Sequence, residues 1–518
     1  MGDDLENNEK EMPVSRPVSI ISDSEKEVFA VSERYNRLIG IFSGMPFSIN
    51  IIIGSGIFVL PGDVWRLTRS PKVALVFWVI GGIISFFGSL IYAELGYMLP
   101  RGAGELRYLE ESFPNYRKVI AHTFSVAMIT IIRPAAIVGD TYICAQYFLY
   151  LIRGDTNQTE YLNPGGWLTS ADFFKIRFIS IAILFIILIY SCLNNKLAVK
   201  INQALAIFKV AALFAFAITG IIIGSRNADD AFNNTISSNE TLFENIGSLG
   251  DAMIKVLYAY EGWNNVNYLV DELHNPRRNL VVSNIFSIAV SIVLYILINI
   301  SYIMIAASNP AAATSMYTGD ASTVISIYFG EQIAGKVGNK LISALIAISS
   351  FGAVGSMVFT GARIIVYSSV ANFIPEYFAG WGLQSFTESS YLFNTPTKAL
   401  IAQYLYCSLL ILFFPTGTSF FIFFATISLY LTAIYYGAST VGLMILKKKY
   451  LGIQRPFKVC FLDVIFLVCI VLIAIAGFFP LPGSPLYYLP YLISWGAVIL
   501  GGILIYVYKG YMKNEIQY

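Results

Sequence analysis

From residue 38 onward, long apolar runs alternate with short polar ones, and each run has roughly the length a helix needs to cross a bilayer. They predict spans near 38–60, 73–99, 119–151, 175–194, 199–224, 251–272, 279–306, 338–369, 398–414, 419–446, 460–479 and 489–508. Two interruptions break this pattern. Gly54, Ser55 and Gly56 interrupt the first run within Ile52-Ile53-Gly54-Ser55-Gly56-Ile57-Phe58. Tyr258-Ala259-Tyr260-Glu261-Gly262-Trp263-Asn264-Asn265 turns polar where the second half of the chain begins to cross. Helical backbone can be left open at membrane depth only where it is buried in protein or lines a wet cavity. Two such breaks at corresponding places in two halves point to a site for a transported solute.

Composition fixes the class. With 56% hydrophobic and 13% charged residues, the 518-residue chain carries more apolar surface than one soluble core can bury. The fold class is an all-α polytopic membrane protein of about twelve transmembrane helices. A net charge of +2 is too small to imply a nucleic acid partner. Cys144, Cys192, Cys407, Cys460 and Cys469 fall in or beside spans, odd in number and without metal-ligand spacing, so they read as apolar packing residues. No nucleophile, base and oxyanion arrangement and no metal motif falls in an aqueous loop, which argues against an enzyme and gives no metal or cofactor.

The flanking charges set the orientation. With a cytoplasmic N-terminus, the inner loops hold Arg101, Arg107, Arg117, Lys118, Lys196, Lys200, Arg277, Arg278, Lys447, Lys448, Lys449, Arg455 and Lys458. Arg66, Arg69 and Lys72 run against the rule and are outweighed. The same orientation leaves the sequons at Asn157, Asn233 and Asn239 outside. Residues 1–37 are polar and rich in Asp, Glu and Ser, without a signal-peptide pattern, and read as a disordered cytoplasmic tail.

Several stretches together carry a family resemblance. They are Ile53-Gly54-Ser55-Gly56-Ile57-Phe58, Ala93-Glu94-Leu95-Gly96 with Pro100-Arg101-Gly102-Ala103-Gly104, and Ile131-Ile132-Arg133-Pro134. Further on come Ala259-Tyr260-Glu261-Gly262-Trp263-Asn264, Asn275-Pro276-Arg277-Arg278-Asn279-Leu280, Phe351-Gly352-Ala353-Val354 with Arg363, and Arg455-Pro456-Phe457-Lys458-Val459. In this order the chain resembles the amino acid–polyamine–organocation superfamily, most closely its L-type amino acid transporter branch and the related fungal methionine permeases. The resemblance implies a five-plus-five inverted repeat with discontinuous helices 1 and 6. Residues 38–224 would form the first repeat and 251–446 the second, with 460–508 as peripheral spans 11 and 12 and 509–518 as a short cytoplasmic tail.

An amino acid zwitterion needs donors for its carboxylate and acceptors for its ammonium, since stripping its hydration is costly otherwise. A half-helix N-terminus supplies free amides, and Gly54, Ser55 and Gly56 suit that task. The resemblance implies that carbonyls at Ile52, Tyr258, Ala259 and Glu261 take the ammonium, and that the Tyr258 ring lies over the bound side chain. Glu261 departs from the mammalian L-type proteins, which have glycine there. Its open roles are to narrow the pocket, contact the ammonium, carry a proton, or bond open backbone amides.

Lys209, deep in span 5, matches the lysine that stands in for sodium in proton-coupled relatives, although exchangers keep it too. Arg133 reads as a structural intramembrane charge that satisfies carbonyls freed by Pro134 and pairs with a nearby acid. Glu94 is expected to pair with inner-loop arginines. His122 and His274 read as helix-edge residues. Heteromeric L-type transporters carry a cysteine between spans 3 and 4 that joins a heavy chain, and the loop from Arg153 to Asp172 has none. No disulfide-linked partner is therefore expected.

The function expected is secondary active transport of neutral, apolar or sulfur-containing amino acids such as methionine, proton-coupled, at the plasma membrane. The alternatives are an amino acid exchanger and a non-transporting amino acid sensor. Sensors generally need a longer signalling extension than Lys509 to Tyr518.

Overall fold

The computed structural model describes residues 39–114, 118–153, 170–225, 232, 242–307, 325–379, 395–413, 418–450, 458–459, 461–480 and 486–515. The tail 1–37, Arg117, Arg455, Cys460 and the sequons at Asn157, Asn233 and Asn239 lie outside the described residues. Among the described residues, nine helices are long and apolar enough to cross a membrane, and Thr397–Phe413 and Leu462–Ala476 are shorter apolar helices. The broken helix Leu242–Ala259 with its continuation Asn265–Glu272 completes the twelve expected crossings.

The first span is Ile41–Ile52, a break, then Gly56–Val59, and it is followed by a separate short helix Pro61–Thr68 that starts on a proline. Span 2 is Pro71–Met98. Span 3 runs from Val119 to Arg153 and contains a π-turn, Met128–Ile132. Spans 4 and 5 are Ser170–Leu193 and Asn195–Gly224. Span 6 is the second broken helix. Span 7 is Pro276–Ala307, span 8 lies within Ile325–Val370, span 9 is Thr397–Phe413, span 10 is Thr418–Lys449, and spans 11 and 12 are Leu462–Ala476 and Leu489–Glu515.

Three boundaries differ most from the sequence reading. Span 6 begins at Leu242 rather than near 251, because Glu244, Asn245 and Ser248 dilute the hydropathy of a turn that is nonetheless helical. The helix ahead of span 8 starts at Ile325 and is set off by non-helical backbone at Ala334 and Gly335. The last helix continues to Glu515, through most of the segment read as a tail.

Burial separates an inner from an outer ring. Of the most apolar stretch of span 1, 83% is buried, and of span 8, 78%, against 28% in span 5 and 17% in span 12. The outer helices show Phe208, Phe214, Ile222, Leu500 and Leu504 on the surface, as expected of faces solvated by lipid. Span 1 packs on spans 5, 7 and 8, span 2 packs on span 7, and span 3 packs on spans 8 and 10. The two broken helices therefore lie in the middle.

Among the described residues, Glu94 meets the Val459 amide and Lys447. Its Oε2 accepts from the Val459 amide at 2.9 Å and lies 3.3 Å from Lys447 Nζ, which also reaches Asp463 at 3.0 Å. These bonds tie span 11 to spans 2 and 10. Arg66, whose charge runs against the orientation expected from sequence, is 3.6 Å from Asp63, so that charge is locally offset.

Candidate functional site

At the first break the backbone leaves the helix at Ile53, and the Gly54 amide folds back to Ile52 O at 2.9 Å. Helix resumes at Gly56. At the second break Gly262 has a φ of +113°, a conformation costly for any residue with a Cβ. The two breaks touch. A Cβ on Gly56 would lie 3.0 Å from Ala259 Cα, and one on Gly262 would lie 2.5 Å from Ile51 Cγ2. Gly56 was expected to be glycine so that a ligand could reach the amides. The geometry gives a different reason, the close approach of the opposing broken helix.

Side chains from four other spans hold the open backbone. Lys209, fully buried, donates from Nζ to Asn50 O at 2.9 Å and Ile53 O at 3.0 Å. Gly352 of span 8 leaves room for it, since a Cβ there would be 3.0 Å from Nζ. Ser349 Oγ reaches Ile53 O at 2.8 Å and Gly54 O at 3.0 Å. The Tyr295 hydroxyl lies within hydrogen-bond reach of Ile52 O and of Ala259 O, the latter at 2.9 Å, and so bridges both breaks. Ser55 Oγ donates to Asp140 Oδ1 at 2.5 Å.

Beyond the second break, the chain descends as a 3-10 helix, a form with poorer hydrogen bonds that needs outside support. The loop after span 2 supplies it. Asn264 Nδ2 donates to Glu105 Oε1 at 2.6 Å, Tyr108 donates to Asn267 Oδ1 at 2.9 Å, and the Gly102 amide donates to Asp271 Oδ2 at 3.1 Å. Burial pushes the Glu105 carboxyl above its ordinary range. On the same face Ile39 N–H donates to Glu272 O and His274 N–H donates to Ile39 O, both at 2.9 Å. Arg363 joins them through Glu272 at 2.8 Å and Asn195 at 3.0 Å. Span 1 is thus stitched to the end of span 6 at this face.

Between the breaks lies a cavity of about 40 Å³. That is room for about three waters, the scale of an amino acid's zwitterionic head. Ile52, Ser55, Gly56, Tyr258, Ala259 and Glu261 all line it, with Arg133 and Asp140 from span 3. Lys209 stands behind the first break and does not line it. Met128, Ile132, Ala136 and Met357 make its apolar walls. Tyr258 is half-buried and meets Phe421 of span 10 edge-on at 6.0 Å.

Arg133 does not take the carbonyls freed by Pro134. Tyr406 takes that of Thr130 at 3.0 Å, and Ser428 donates to the neighbouring Ile132 O at 3.1 Å. Arg133 instead donates to Asn265 Oδ1 at 2.7 Å and sits 5.3 Å from the Tyr268 ring centre, with Glu261 as an electrostatic neighbour. Asp140, Tyr295 and Ser349 are participants that sequence reasoning left without a role. For Asp140 a signal existed, an acid about two turns along the same helical face from Arg133. For Tyr295, a tyrosine in a tyrosine-rich chain, there was none. Among the described residues no group of His, Cys, Asp and Glu is arranged to hold a metal.

Comparison with known proteins gives a consistent result. The family model described as amino acid permease matches residues 39–504. The b(0,+)-type amino acid transporter 1 of Rattus norvegicus is 25% identical over 496 residues, covering 93% of this chain and 91% of the relative. The high-affinity methionine permease of Saccharomyces cerevisiae is 26% identical over 487 residues, covering 91% and 79%. The cystine/glutamate transporter of Homo sapiens is 24% identical over 471 residues, covering 88% and 85%.

Proposed function

Because the chain belongs to the amino acid permease family, we propose that it is a secondary active transporter of neutral amino acids, apolar or sulfur-containing ones such as methionine, working by alternating access and coupled to protons. One observation carries this reading: two opened helices meet around a cavity with backbone amides on one side, carbonyls on the other and apolar side chains between. The Gly56 amide suits the substrate carboxylate, beside the Ser55 amide, which is bonded to Asp140. The side chain extends toward Tyr258, Met128 and Met357. At the second break Arg133 offsets the charge of Glu261, which argues against recognition of a cationic side chain there. A relative named as a methionine permease agrees with this choice of substrate.

Coupling to protons rather than sodium rests on Lys209 and Asp140. The ammonium already fills the cation's place among the carbonyls of span 1. An arriving carboxylate meets Asp140 at Ser55, and two carboxylates sharing one site need a proton between them. Exchange is the second reading, since Lys209 can hold Asn50 and Ile53 without any change of charge.

The repeats 38–224 and 251–446, a cytoplasmic N-terminus and a plasma-membrane location belong to the same proposal, supported by the inner-loop Lys and Arg. The cysteine-free stretch from Arg153 to Asp172 supports a permease that works without a disulfide-linked heavy chain. Uptake into proteoliposomes, with labelled amino acids and separately imposed proton and sodium gradients, tests it. Accumulation of methionine driven by an inward proton gradient is expected. Steep sodium dependence, or inhibition by arginine and lysine with little from methionine or leucine, would overturn it.

A further inference from the structure

A second cavity lies beside the central one and is much larger, about 240 Å³ against about 40 Å³. The two share Met128 and Arg133, which sit at either end of the π-turn in span 3. Its other walls come from the last turns of span 8, the segment around Ile374 and Phe378, and span 9. It therefore lies toward the face on which span 1 is stitched to span 6, the cytoplasmic face in the orientation proposed above.

Most of this wall is apolar, but two polar side chains are buried in it without full partners. Gln403 is 6% exposed and its Oε1 accepts nothing; Arg133 is 8% exposed and its Nε donates to nothing. Buried groups of this kind are normally satisfied, so each calls for an explanation. Gln403 is held in place by span 8, where a Cβ on Gly361 would lie 2.4 Å from its Nε2. The π-turn itself has no carbonyl to offer at Thr130. Pro134 cannot donate to it, and Tyr406 donates instead at 3.0 Å.

The remaining chemistry is one cationic donor, one acceptor, and between them the apolar side chains of Ile364, Ile365 and Phe378. That is the complement of an α-amino acid with an apolar side chain: carboxylate to Arg133, ammonium to Gln403 Oε1, side chain against the isoleucines. The geometry points to a second station for the transported neutral amino acid, between the central site and the cytoplasmic face. Arg133, lining both cavities, passes the carboxylate from one to the other, and the π-turn is the partition crossed. A widened helical turn suits that place, since such turns recur where helices meet ligands. This station rests on the transporter reading above.

The test is equilibrium binding of labelled methionine to the full-length protein in lipid nanodiscs. The unmodified chain is expected to bind two methionines, and Gln403→Leu to weaken the second by about tenfold or more, leaving one site at the original affinity. Ile365→Phe, which fills the cavity without removing a polar group, should likewise leave one. Gln403→Glu keeps the acceptor and should keep both. One site in the unmodified chain, with uptake intact, would overturn the second station and leave the transporter reading standing. Two undiminished sites in both Gln403→Leu and Ile365→Phe would overturn it as well, as would a co-purified lipid in the cavity that methionine does not displace. No binding and no uptake in the unmodified chain would instead remove the transporter reading itself.

Discussion

Lys209 was legible as the lone cation of an apolar run, and its bonds give it a definite duty. Without it, Asn50 O loses its donor, while Ile53 O keeps Ser349. Lys209→Ala should cost about 1–3 kcal/mol of stability and should weaken gradient-driven accumulation more than equilibrium binding, which parallel uptake and binding assays would separate. Tyr258→Ala should lose contact worth roughly 1–3 kcal/mol and raise the apparent KM for large neutral substrates. Glu261→Gly should admit bulkier side chains, read from competition for methionine uptake. Asp140 and Tyr295 were harder to assign because their partners, Ser55 and Ile52, are 85 and 243 residues away in sequence. Hydropathy registers that a polar residue is unusual in a span but not whom it meets.

At the scale of elements, both broken helices were readable from glycine and polar residues inside apolar runs. Their mutual contact was not, since it depends on how the two cross. Gly56→Ala places a methyl 3.0 Å from Ala259 Cα, so the breaks must part by a few tenths of an ångström. Binding should weaken by about tenfold or more with the protein still folded, as a thermal-shift assay alongside binding would show. Gly262→Ala adds backbone strain of about 1–3 kcal/mol and should destabilise more. The loop motif Arg101-Gly102-Ala103-Gly104 was recognised as a signature, but its role as the clamp on the 3-10 stretch became clear only from Glu105, Tyr108 and Gly102 meeting Asn264, Asn267 and Asp271. Because burial raises the Glu105 carboxyl above 4.5 when folded, its contribution to stability is full below that value. It is lost as pH rises through the raised value. Glu105→Gln should remove this decline, making melting temperature less dependent on pH across that window.

For the whole molecule, the number and order of the spans followed from length and hydropathy, and errors gathered where polar side chains sit on helices, as at Leu242–Leu249. The inner and outer rings could not be read, since spans buried by protein and spans bathed in lipid are equally apolar. The alternating access proposed above requires the stitched face to open, which means parting Ile39 from Glu272 and Arg363 from Glu272 while the opposite half closes. All of this turns on where the substrate sits. The most direct measurement is a structure of the full-length protein loaded with methionine. Density is expected between Ser55–Gly56 and Tyr258–Ala259, with the carboxylate about 3 Å from the amides of span 1 and the side chain under Tyr258. A loaded protein with methionine bound elsewhere, and the cavity between the two breaks unchanged, would contradict the account.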